Sequence, residues 1–155
     1  MKHDAARGEW SEGEARYLVI RNDSLMGLFQ RLEEPARSAA LRAFAESVAE
    51  HGGRSAASYR AEDAEAFLAR VSAMAARLGW GRWLLAREAN ALRLVVANSP
   101  FAAGYGSAAA PVCAPIAGML QAVASLALGA PATAEETRCA ATGADDCAFR
   151  AGLRP

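Results

Sequence analysis

From residue 94 to residue 134 the chain carries no Asp, Glu, Lys or Arg, although 22% of all its residues are charged. A run this long without a charge has to be buried, either inside a folded domain or in a bilayer. The part a membrane could take is Ala108 to Ala130. Pro111, Pro115, Gly118, Gln121 and Ser125 interrupt it, and alanine predominates over leucine and isoleucine, which argues against a span. It reads instead as a helix buried in a protein domain, starting near Pro111 and ending at Gly129. At 155 residues the chain has room for one domain with a real core and not for two. About a quarter of the residues are alanine, which buries little area, so the core depends on Leu, Val, Phe and Met at selected positions.

The rest of the chain is charged in balance, with 17 basic and 17 acidic residues and a pI near 6.7. No basic excess is available to neutralise phosphates, which excludes nucleic-acid binding by this chain alone. The N-terminus, MKHDAARGEWSEGEAR, lacks the apolar run of a secretion signal and reads as a flexible tail over residues 1–14, leaving a single domain over 15–155. A cytoplasmic protein is expected.

Hydrophobic spacing outlines that domain. Tyr17–Ile20 predicts a short strand, and Asp23 or Ser24 a cap for a helix carrying Leu25, Leu28, Phe29 and Leu32. A second helix bears Leu41, Phe44, Ala45 and Val48 and is expected to stop at His51-Gly52-Gly53. A third runs from about Glu62 to Leu78 with Phe67, Val71 and Met74 on its seam. The pattern then changes to strands at Arg82–Arg87 and Leu92–Ala97, a flexible loop over Phe101–Ser107, the buried helix, and a terminal hairpin of Ala134–Thr142 and Asp145–Ala151. Helices interrupting a small antiparallel sheet make an α+β (or α/β) domain.

All three cysteines, Cys113, Cys139 and Cys147, fall in the last third, with Glu136 among them. With a hairpin centred on Gly143, Cys139 and Cys147 face each other closely enough to share one ion. Cys113, at the start of the buried helix, would add a third thiolate. Three thiolates and a carboxylate close a tetrahedron with no open position, which suits a structural site. Strand parity favours Glu135 as the carboxylate and sets Glu136 opposite Arg150. Only a bulge or turn between Glu136 and Cys139 would bring Glu136 to the metal. Spacing alone also allows buried core thiols, or a disulfide between Cys139 and Cys147.

The stretches VVANSPFAAGYG, PVCAPIAGML and EETRCAATGADDCAF resemble the 4-vinyl reductase, or hydrocarbon-binding, domain, with RNDSLMGLF as a weaker echo. The resemblance implies a structural zinc on Cys113, Glu136, Cys139 and Cys147, because the intervals match those of aromatic-sensing members. It also implies a fold like that of the transport-particle subunits of Golgi tethering complexes, helices on an antiparallel sheet, and a homodimer. In phenol- and xylene-responsive activators such a domain is the sensor. Phenol-sensing members hold the phenolic oxygen with a histidine and a tryptophan, whereas Leu92 stands at the tryptophan's position here. Ala117, Val123 and Ala134 stand where those members carry pocket aromatics, which implies a wider and more apolar pocket.

By strand and helix period, Leu92, Leu94 and Val96 share one face, and Ala117, Leu120 and Ala124 share another with Cys113. A ligand between those faces, under Phe101 and Tyr105, gives a candidate binding site. The same residues could simply form the core. Trp80 and Trp83 read as packing or dimer-contact residues. With His3 in the tail and His51 at a helix end, no Ser/His/Asp arrangement is expected, and no dinucleotide fingerprint is present. The leading expectation is a non-catalytic, zinc-stabilised domain that senses or carries a hydrophobic or aromatic ligand and signals to a regulator or biosynthetic enzyme. A carrier of a tetrapyrrole intermediate in bacteriochlorophyll synthesis and a ligand-free assembly scaffold are the alternatives.

Overall fold

The computed structural model describes residues 1–59 and 63–154. The uncharged run forms the middle of the domain, as its composition requires. Helix α5 (Ala114–Leu128) has Ile116, Leu120, Val123 and Ala124 fully buried, and Gly129 closes it in the left-handed conformation at φ 74°. No helix among the described residues is long and apolar enough to cross a membrane. On one side α5 packs on α2 (Ala36–Ser58), and on the other on a four-stranded antiparallel sheet. That sheet has the order β4-β5-β7-β6, from β4 (Arg82–Arg87), β5 (Ala91–Ala97), β6 (Ala132–Arg138) and β7 (Cys147–Leu153).

Alternation sets the inner face of this sheet. Leu92, Leu94 and Val96 point inward from β5 and pair with Ala151, Phe149 and Cys147 of β7. Between β6 and β7 the register slips at Thr137: Glu136 pairs with Phe149, but Arg138 with Ala148. Glu135, and not Glu136, therefore lies opposite Arg150. The strands also end earlier than the sequence suggests. Residues 140–142 form a 3-10 turn, and Cys139 leaves the ladder instead of facing Cys147.

The N-terminal residues depart from the expected loose tail. Strands β1 (Lys2–Asp4), β2 (Glu9–Glu12) and β3 (Ala15–Tyr17) form an antiparallel meander, with His3 stacked on Trp10. Its charged composition hid it, because ion pairs such as Arg16–Glu9 (3.4 Å) and the N-terminal amine with Glu12 replace an apolar face. The strand expected over Tyr17–Ile20 stops at Tyr17. Leu18, Val19 and Ile20 find no ladder partner and remain 83%, 66% and 51% exposed.

Helix α1 (Asn22–Gln30) begins before its expected caps. Asp23 instead lies in the first turn, bound to Arg21 at 3.0 Å. Helix α2 passes straight through His51-Gly52-Gly53, because the two glycines let α5 approach: a Cβ on Gly53 would stand 3.1 Å from that of Ala122. Glu62, the expected start of the third helix, lies outside the described residues; α3 runs over Ala64–Arg77. The Asp63 carboxylate accepts from the backbone N–H groups of Glu65 and Ala66, both at 3.2 Å. Asp63→Ala is expected to cost about 1 kcal/mol, read as a lower urea midpoint at unchanged slope.

Residues 101–107 are not a flexible loop. Pro100–Tyr105 is a helix, α4, whose first turn is capped by Ser99 Oγ accepting from Ala102 N–H at 3.4 Å, with Pro100 at its start. Gly104 is there for close approach, since a Cβ would lie 2.5 Å from the Asn22 carbonyl oxygen of α1.

Candidate functional site

Four elements bring Cys113, Glu136, Cys139 and Cys147 together. Cys113 caps the N-terminus of α5, and its carbonyl accepts from Ile116 N–H at 2.9 Å. Glu136 comes from β6, Cys139 from the 3-10 turn, and Cys147 from the first position of β7. The bulge at Thr137 turns Glu136 to the same side as Cys139. Their ligand atoms all lie within 4.8 Å of one another, and the three cysteines are completely buried. These residues are close enough to hold a metal ion.

The distances fit that role. Cys113 Sγ is 3.9 Å from Cys139 Sγ and 3.7 Å from Cys147 Sγ. A tetrahedron with metal–sulfur bonds of about 2.3 Å has edges of about 3.8 Å. The carboxylate is positioned as well: Glu136 Oε2 accepts from Cys113 N–H at 2.8 Å, while Oε1 is buried with no hydrogen-bond partner among the described residues. A buried carboxylate oxygen without a donor is costly unless a cation faces it.

Electrostatics point the same way. Without a cation, three thiols and a carboxyl cannot all ionise in one buried spot. Hydrogen bonding to Cys139 and Cys147, then burial, hold the Cys113 thiol far above its ordinary pKa. Cys147 is drawn down to about 3, chiefly by donation from Cys113. Burial, with Cys139 beside it, pushes Glu136 up to about 8. A divalent cation would resolve this competition, because all four groups could then ionise as ligands. Glu135, the candidate favoured by parity, is exposed and outside the cluster.

Sequence reasoning missed Ser99. It is the one buried polar residue outside the cluster among those described, and its hydroxyl sits 3.2 Å from Cys113 Sγ. The Ser-Pro pair was legible as a helix start and would have found it. Ala140 N–H donates to Cys147 Sγ at 3.3 Å, so the 3-10 turn supplies a second fixed partner.

A cavity of about 780 Å³ lies elsewhere, between α2, α3, α4, the start of β4 and the segment 15–20. Phe44, Val71, Trp80, Trp83, Phe101 and Met119 contribute to its apolar wall. The Trp83 Nε1–H donates to the Trp80 carbonyl at 3.1 Å, so its ring meets the cavity as an apolar surface. Of the ligand-contact residues expected from the sequence, only Phe101 borders this cavity. Leu92, Leu94, Val96 and Leu120 are closed into the packed core, Tyr105 is buried, and Ala117 packs against that core. Alternation places side chains on the inner face but does not say whether space remains there.

No protein of curated function matches the chain by sequence. Among solved structures it is similar to the phenol-responsive sensory domain of the transcription activator PoxR with phenol, at TM-score 0.85 and 18% identity over 98% of this chain and 84% of that one. It is also similar to a vinyl-4-reductase family protein from Methanocaldococcus jannaschii, at TM-score 0.58 and 14% identity over 86% and 91%. A third likeness is to trafficking protein particle complex subunit 3 from Naegleria fowleri, covalently bound to palmitic acid, at TM-score 0.60 and 12% identity over 86% and 95%. The sensor-domain and transport-particle fold expected from the sequence is therefore the fold observed. Residues 92–153, the segment that carries all four clustered side chains, match the 4-vinyl reductase domain, and the family resemblance read from the sequence rests on that match.

Proposed function

We propose that the chain is a non-catalytic binding domain that senses or carries a hydrophobic small molecule and is held together by a structural zinc ion. The cavity carries this reading: about 780 Å³ of largely apolar, aromatic-lined space is within the range of small-molecule sites, and a packed scaffold would not keep it. The likeness to a phenol-responsive sensory domain supports a sensor. Zinc is the ion that a buried set of three thiolates and one carboxylate favours. It would neutralise the four groups and tie the start of α5 to β6 and β7. Leu92, Leu94, Val96, Ala117, Leu120 and Tyr105 would then form the rigid wall behind the site, with Phe101 shared between wall and cavity. A cytoplasmic homodimer that hands its state to a regulator or a biosynthetic enzyme completes the proposal.

The test is native mass spectrometry with metal analysis on the purified protein. The expected result is close to one zinc per chain and an added mass after incubation with hydrophobic compounds. Protein that carries no ligand mass and gains none from any of them would leave a filled scaffold as the better description.

A further inference from the structure

Helix α2 presents two parallel ridges to the cavity. Ser47, His51, Ser55 and Tyr59 recur every four residues, and so do Phe44, Val48, Gly52 and Ala56 beside them. Each ridge covers twelve residues of helix, so the cavity extends about 18 Å along α2. The second ridge is the less exposed and includes the buried Ala56; the first forms the open rim, with Ser47 and His51 exposed. Among the described residues, the Ser47, Ser55 and Tyr59 hydroxyls have no protein hydrogen-bond partner. The two ends differ. Around Phe44 the walls are aromatic, with Phe101 edge-on to Phe44 (6.3 Å) and to Trp80 (5.1 Å). Towards Tyr59 they are hydroxyl-bearing. Among the described residues lining the cavity, Arg16 is the only charged side chain, and none is Asp, Glu or Lys.

Resting on the binding role argued above, we propose that this cavity takes an elongated ligand larger than a single ring. Its flat apolar end lies among Phe44, Trp80, Trp83 and Phe101, and its hydroxyl or anionic groups meet Ser55 and Tyr59. Size supports this, because benzene fills a cavity of about 150 Å³, about a fifth of the space here. The exposed Leu18, Val19 and Ile20 at the mouth point the same way: a ligand long enough to reach them covers apolar surface that the fold leaves open. A cation would find no acidic partner, whereas hydroxyl and anionic groups find donors.

The probes are 17β-estradiol, a rigid four-ring diol, and phenol, titrated calorimetrically and by the fluorescence of Trp80 and Trp83. Estradiol is expected to bind once per chain and at least tenfold more tightly than phenol. Tyr59→Phe and Ser55→Ala should each weaken estradiol binding about fivefold to tenfold, one hydrogen bond's worth, with unchanged thermal unfolding and unchanged phenol binding. Ala56→Phe, which fills the floor, should weaken both probes. Phenol binding as tightly as estradiol, or estradiol indifferent to Tyr59→Phe and Ser55→Ala, would overturn the elongated-ligand inference while the sensor reading stands. If neither probe binds and native mass spectra show no ligand uptake, both fall together.

Discussion

Replacing Cys139 with serine is expected to release zinc and to lower stability by several kcal/mol, the largest effect of any single side-chain change in this chain. Cys139 is completely buried, 3.9 Å from Cys113 Sγ, and sits where β6 passes into the 3-10 turn. A serine hydroxyl is a poor substitute for a thiolate. Losing one of four ligands would also leave two buried thiols and Glu136 without a counter-charge. Because such a site does not exist in the unfolded chain, the free energy of binding the metal becomes free energy of folding. Glu136→Gln should act in the same direction and less strongly, since the amide can still accept from Cys113 N–H but cannot neutralise a cation. Glu135→Gln, on the exposed side of β6, should change neither metal content nor melting temperature. Metal analysis and thermal unfolding with and without chelator measure all three. A Cys139→Ser protein that keeps its zinc and its melting temperature would remove the metal from the account.

The fourth ligand shows what a sequence can and cannot disclose about such a cluster. Parity on a regular strand pointed to Glu135, family intervals to Glu136, and the structure brings Glu136 in through one extra residue, Thr137. That bulge has no signature of its own: Thr137 is a good strand residue, and its hydroxyl donates to the Ala148 carbonyl at 3.1 Å. A single-residue slip reverses every inside–outside assignment beyond it, so parity arguments fail across a bulge while intervals matched to a family survive.

The helices and the inner sheet face were legible because burial imposes a period, and Leu92, Leu94, Val96, Phe67 and Val71 all lie inside as expected. Features that depend on contact between distant segments were not. The N-terminal meander is held by polar pairs that resemble a solvated tail in sequence. The glycines at 52 and 53 resemble a helix stop until α5 is seen against them. The cavity is invisible because its walls come from α2, α3, α4, β4 and segment 15–20 at once. A period reports which face is apolar, never how far apart two apolar faces finally stand.

Gly118→Ala is expected to cost about 3 kcal/mol or more, although alanine is the better helix former by about 1 kcal/mol. A Cβ on Gly118 would stand 2.8 Å from the carbonyl carbon of Ala45 and 2.9 Å from its Cα, and closer still to its carbonyl oxygen. All three are backbone atoms of α2, so no rotamer change relieves the clash, and α2 and α5 must move apart along the most extensive helix contact in the fold. The same substitution at Gly52 makes a useful contrast. There the obstructing atom is Met119 Cε, the far end of a flexible side chain, which can swing aside. Gly52→Ala should therefore be nearly neutral, its gain in helix propensity offsetting a small repacking cost. Truncating Ala45 to glycine should not rescue Gly118→Ala, because the collision is with backbone, whereas Met119→Ala should remove whatever penalty Gly52→Ala retains. Urea unfolding of these single and paired variants reads this out. Equal costs at positions 52 and 118 would mean that α2 and α5 do not meet at the separation described.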